Sequence, residues 1–130
     1  MFRGFRNKNK KIDWKKVRDY INDKELTPYR RWAKNTIRSH KNSGYEVFLP
    51  EEKLAIIAHQ TSHCYICHQK LSWFGKPRDT SLPSLDRVNN EKYLTLDNIA
   101  IVCMKCNWAK RQMPMAEFIR YCQKVAKVWS

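Results

Sequence analysis

Apolar residues recur at helical spacing in four stretches of the chain and cluster like short strands in two others. Asp13 stands where a helix N-cap would, and Trp14, Val17, Tyr20 and Ile21 behind it predict a short buried face. Pro28 suits a first helical position and is read as the opening of a second helix. Tyr29, Trp32, Ala33, Thr36, Ile37 and His40 share one face of it, and Gly44 ends it. Its other face shows Arg30, Arg31, Lys34, Arg38 and Lys41. The run from Tyr45 to Leu49 reads as an extended link. Pro50, with Glu51 and Glu52 in the first turn, then starts a helix to about His59, where acidic residues complement the positive helix end.

Further along, a polar stretch from Gly75 to Ser81 predicts a loop. Leu85–Val88 and Asn98–Val102 predict two strands of a hairpin, joined through Asn89 and Asn90. Cys106 opens a short helix to about Gln112, and Pro114 opens the last. On that last helix Met115, Phe118, Ile119, Cys122, Val125, Ala126 and Trp129 form one apolar face, which predicts packing on a core with Cys122 as a small core residue. Trp73 and Phe74 are likewise read as core residues. His40 and His59 are read as helix-face residues.

Composition narrows the class. A chain of 130 residues fits one domain with an appended arm. No run approaches the roughly 18 apolar residues of a membrane span. The N-terminus lacks the apolar core of a signal peptide, so a cytoplasmic protein is expected. The net charge is +14, with 12 Lys/Arg against 4 Asp/Glu over residues 1–34 and 11 against 5 over residues 64–130. Such an excess favours a polyanion, because each neutralised phosphate releases counterions. Residues 1–11, with Arg3, Arg6, Lys8, Lys10 and Lys11, predict a mobile basic arm. A membrane surface is disfavoured, since these segments lack a strongly apolar opposite face.

The cysteines change the picture most. Cys64-Tyr-Ile-Cys67 and Cys103-Met-Lys-Cys106 are two identical CxxC knuckles, and four soft thiolates suit a tetrahedral zinc site. A reducing compartment favours metal ligation over disulfides. Asp86, Asn98 and Asn107 lie inside or just beyond this clamp and carry oxygen donors suited to a harder ion. His63 and His68 flank the first knuckle and are read as second-layer donors, alternative ligands or exposed side chains.

The segment Ser84-Leu85-Asp86-Arg87-Val88, then Leu96-Asp97-Asn98-Ile99, then Cys103-x-x-Cys106-Asn107-x-x-Lys110, resembles the HNH endonucleases, and more narrowly small phage-type members with zinc knuckles. The resemblance is strongest over residues 64–111. It implies an α+β fold, a ββα-metal finger core with a structural zinc site, surrounded by helices and preceded by a basic helical N-terminal region. Residues 1–60 would be the DNA-contacting extension and 61–130 the nuclease core. Cys64, Cys67, Cys103 and Cys106 would hold zinc. Asp86 and Asn107 would hold a catalytic Mg²⁺ or Mn²⁺, and Asn98 would shape the loop by side-chain to backbone bonds. Lys110 and Arg111 would reach the phosphate, with Arg30, Arg31, Lys34 and Arg38 adding DNA affinity. The implied partners are DNA and phage-encoded proteins, with no membrane, in the host cytoplasm.

One position departs from the family pattern. Arg87 stands where the general-base histidine usually follows the metal-binding Asp, and a guanidinium accepts no proton near neutrality. Three explanations stay open. Arg87 binds the scissile phosphate, another histidine such as His63 or His68 enters the site, or the domain is a zinc-stabilised DNA-binding module without cleavage. Charge alone also admits RNA, though nothing resembles an RNA-reading module.

Overall fold

Asp13 caps the first helix as its position suggests, its carboxylate accepting the Lys16 N–H at 3.1 Å in this computed structural model. The structure describes Arg6, Lys8 and residues 11–130, so most of the basic arm read over residues 1–11 lies outside the described residues. The chain divides between Ser62 and His63 into two units.

In the first unit, α1 (Trp14–Tyr20) buries Val17, and Ile21 at its end is buried too. Tyr20, predicted to be buried, is 78% exposed. It lies about 100° around the helix from Ile21, outside the narrow stripe that a seven-residue helix buries. Helix α2 (Asp23–Asn42) begins five residues before Pro28, which corrects the predicted start. Asn22 caps it by accepting the Lys24 N–H at 2.8 Å, and Asp23 and Glu25 occupy the first turn. Pro28 therefore sits inside the helix, where only the bond to the Lys24 carbonyl is forgone. Gly44, at φ +89°, provides the left-handed residue that ends the helix. Helix α3 (Glu51–His59) buries Leu54, Ala55, Ile56 and Ala58 and packs on α2, which contributes Leu26 and Ala33.

Ion pairs fasten this unit. Arg30 clasps Glu52 through Nε at 2.9 Å and Nη2 at 2.8 Å and reaches Asp23 at 3.2 Å. Arg18 also pairs with Glu52, at 2.8 Å, and with Asp23. Hydrogen bonds from Arg30, supported by Arg18, hold both carboxyls below the ordinary range. Arg30 thus has its charge compensated within the unit, whereas Arg31, Lys34 and Arg38 on α2 are exposed.

The second unit is built on β1 (Pro83–Arg87) and β2 (Ile99–Cys103), an antiparallel pair in register from Pro83↔Cys103 to Arg87↔Ile99. Both strands lie within two residues of their predicted bounds. Helix α4 (Met104–Lys110) follows β2 without a loop and packs on both strands. It starts two residues earlier than predicted because Cys103 caps it, its sulfur accepting the Cys106 N–H at 3.4 Å.

Helix α5 (Met115–Trp129) departs most from expectation. Met115 and Phe118 are buried, but from Arg120 onward every residue is exposed, including Cys122, Val125, Ala126 and Trp129. The ββα layer is short and receives only the first turns of the helix. Phe74, predicted to be a core residue, is 70% exposed, while Trp73 is half-buried. Among the described residues the elements are five helices and one two-stranded sheet, an α+β structure. Among the described residues, no helix is long and apolar enough to cross a membrane.

Candidate metal centre and active site

The two CxxC knuckles come together as their spacing predicts. The sulfurs of Cys64, Cys67, Cys103 and Cys106 all lie within 4.8 Å of one another. The first knuckle is a turn in which His68 N–H meets the Cys64 carbonyl at 3.0 Å. His68 itself sits at φ 61°. The second knuckle is the junction of β2 and α4. Backbone amides solvate the thiols: Cys64 Sγ accepts from Cys103 N at 3.3 Å and from Ile66 N at 3.4 Å. Burial raises the Cys64 thiol, but N–H donors from Cys67, Cys103 and Ile66 outweigh it and bring it down to about 7. Burial pushes the Cys103 thiol up, and pushes the Cys106 thiol up with further help from the neighbouring sulfurs. Four sulfurs this close, two of them accepting backbone N–H groups, make a donor set that a divalent cation would complete. His63 and His68 are both exposed and stand outside this group.

The oxygen donors are arranged by two periodicities that match. Ser84 and Asp86 alternate with Leu85 on β1, so they share one face of the strand. Asn107 and Lys110 are three apart on α4 and share one face of that helix. These faces meet. Asn107 Nδ2 donates to Ser84 Oγ at 2.9 Å, and Lys110 Nζ lies 3.0 Å from Asp86 Oδ2. Asp86 Oδ1 accepts the Arg87 N–H at 2.8 Å. Asp86 Oδ2 and Lys110 Nζ are both buried without a hydrogen-bond partner among the described residues. Lys110, named from sequence as a phosphate contact, is in fact 1% exposed. Neither its burial nor the Ser84 contact was foreseen, although the i, i+2 and i, i+3 spacings carry the signal.

Asn98 closes the loop between the strands. Its Oδ1 accepts the Asn89 N–H at 2.8 Å, and its Nδ2 donates to the carbonyls of Asn89 at 3.0 Å and Tyr93 at 2.9 Å. The same loop receives Arg87, whose Nη1 donates to the Asn90 carbonyl at 2.8 Å and the Lys92 carbonyl at 3.3 Å. Asn90 in turn donates to the Gln112 carbonyl, tying the loop to the turn after α4.

That turn is strained. Arg111 has φ 52° and ψ −124°, and Met113 N–H bonds the Lys110 carbonyl at 3.1 Å across it. This is the first central position of a type II′ turn, where glycine is preferred. Arg111→Gly is therefore expected to raise unfolding free energy by about 1 kcal/mol in urea titrations. Unchanged stability would remove the strain argument.

A two-stranded antiparallel sheet followed by a helix, with a carboxylate near the end of the first strand and a carboxamide on the helix, makes up a ββα unit. Among solved structures, the rare-cutting HNH restriction endonuclease PacI has this fold in common with the chain, with a TM-score of 0.56 at 16% identity over 95% of this chain and 83% of that one. At that identity the likeness is one of fold. No protein-family model matches the sequence, and neither does any curated protein.

Proposed function

We propose that the protein is a metal-dependent HNH endonuclease that hydrolyses DNA phosphodiester bonds, with zinc as its structural ion and Mg²⁺ or Mn²⁺ as its catalytic one. The observation that carries the proposal is the β1–α4 interface, where Asp86 and Asn107 present a carboxylate and a carboxamide from two adjoining elements of an HNH fold. The donors fit the ion. Asp86 Oδ2 is a buried oxygen with no hydrogen bond, and Asn107 spends its amide nitrogen on Ser84, which leaves its carbonyl oxygen as the ligating atom. Hard oxygens of this kind suit Mg²⁺ or Mn²⁺, and soft thiolates suit zinc. A bound divalent ion stabilises the charge that develops on the phosphoryl and leaving 3′ oxygens.

The chain's own residues do the rest. Arg87 cannot act as a base, and its position at the end of β1 makes it an electrostatic partner for the scissile phosphate as well as an anchor for the loop. Arg111 and the exposed Arg31, Lys34 and Arg38 supply backbone contacts that position DNA without reading its bases. Arg30 has its ion pairs with Glu52 and Asp23, so it has less charge to offer a phosphate. Five free cysteines suit a reducing cytoplasm.

The test is cleavage of supercoiled plasmid by zinc-loaded protein with Mg²⁺ or Mn²⁺. Asp86→Ala is a poor control, because it strands the buried Lys110 ammonium and destabilises the fold. Asn107→Ala is better because it leaves the Asp86–Lys110 pair in place, and Asp86→Asn, which keeps the shape but removes the charge facing Lys110, is read beside its own unfolding curve; each is expected to lower the nicking rate about 100-fold or more. A second reading, a zinc-stabilised DNA-binding module, is favoured by one observation, the lysine already seated on Asp86. Tight DNA binding with no metal-dependent product, and no response to either variant, would select it.

A further inference from the structure

Oδ2 of Asp86, the oxygen that takes no backbone N–H, is already in contact with a cation. Oδ1 is occupied by the Arg87 N–H, and Lys110 Nζ stands 3.0 Å from Oδ2. We propose that Lys110 is a positioning residue that occupies the cation-binding oxygen of Asp86, so that Lys110 and a divalent ion compete for it and the free protein loads metal weakly. The inference rests on Asp86 and Asn107 being the ligands of the catalytic ion.

The geometry distinguishes this pair from a structural salt bridge. The lysine side chain is 0% exposed and the aspartate side chain 13%, yet neither charged atom makes a hydrogen bond. An ammonium has three protons to donate, and a buried pair that stabilises a fold ordinarily satisfies them. Here the 3.0 Å contact to Oδ2 is the one that Nζ makes among the described residues, so most of the ammonium's donor capacity is unspent. A doubly charged ion attracts the same carboxylate more strongly, and a displaced ammonium regains its hydration. Two cations cannot share one buried oxygen without strong repulsion. Because Asn107 and Lys110 lie on the same face of α4, the helix that brings the second metal ligand to β1 also brings the competitor.

The experiment is calorimetric titration of Mn²⁺ into zinc-loaded protein. Lys110→Met keeps the apolar stem and removes the charge, and it is expected to bind Mn²⁺ about tenfold or more tightly than the wild type. The double variant Asp86→Asn/Lys110→Met should bind no more tightly than Asp86→Asn. Equal or weaker binding by Lys110→Met, with wild-type binding still lost in Asn107→Ala, overturns the competition and leaves the metal site standing. Binding indifferent to both Asp86→Asn and Asn107→Ala overturns the two together. Lysine-selective acetylation read by mass spectrometry tests the wild-type protein directly. Lys110 should be protected without divalent ion and become reactive with Mg²⁺, whereas protection unchanged at saturating Mg²⁺ refutes the proposal.

Discussion

Cys103→Ser is expected to unfold the unit formed by residues 63–130. Cys103 is 2% exposed and its sulfur is one of the four clustered donors; serine keeps the α4 cap and the backbone N–H to Cys64 Sγ, so what the variant loses is the thiolate. The elements it joins are weak alone. A two-stranded sheet is marginal in water, and a seven-residue helix is too short to persist without tertiary support. A metal ion on the four thiols, zinc in the proposed function, would supply that stability, since binding to such sites is worth about 10–16 kcal/mol in zinc-finger peptides. Circular dichroism and amide exchange should show loss of protection over residues 63–130 in the variant. A chelator should do the same to the wild type, reversibly on adding zinc. Chelated protein that kept its near-ultraviolet signal and its protection would mean that the four thiols are not a structural site.

Asn98→Ala should strongly destabilise the loop between the two strands. The side chain is 5% exposed and satisfies three backbone groups, the Asn89 N–H and the Asn89 and Tyr93 carbonyls. Each becomes unpaired in the variant, in a loop that Arg87 also depends on through the Asn90 and Lys92 carbonyls. Each buried unsatisfied group costs about 1–3 kcal/mol, and partial access to water lowers the total, so a loss of about 2–4 kcal/mol is expected in urea denaturation. Asn98→Asp keeps the acceptor but sets a carboxylate against two carbonyl oxygens, and it should not rescue. A loss below about 0.5 kcal/mol for Asn98→Ala would show that the loop holds its shape by other means.

Much of the core was legible in advance because it depends on local spacing. Two CxxC pairs predict a sulfur cluster, and the structure brings all four sulfurs within 4.8 Å, the first pair on a turn and the second at the β2–α4 junction. The hairpin showed itself as two apolar runs around an Asn-Asn loop, and its strands fall within two residues of that reading. Helix starts were less legible where two signals competed. Pro28 drew the start of α2 too far along the chain, although Asn22 and the acidic first turn offered the stronger cap. The apolar face of α5 was correct as a pattern and wrong as a statement of packing, because amphipathicity says which side would face a core and not whether a core reaches it.

The site divides along the same line. Residue type and order alone mark Asp86, Asn98 and Asn107 as the oxygen-bearing side chains between and after the knuckles, and mark Arg87 as unable to act as a base. The sequence by itself therefore determined the donor chemistry and the strand–loop–strand–helix order that carries it. Only the tertiary structure decided which charges were spent. Arg30 is neutralised by Glu52, 22 residues away, and Lys110 is buried against Asp86, although both look like exposed basic positions along the chain. The physical reason is that burial and pairing belong to the meeting of elements. A lysine on a helix has the same local pattern whether its ammonium ends in water or on a strand's carboxylate, and the approach of α4 to β1 settles which.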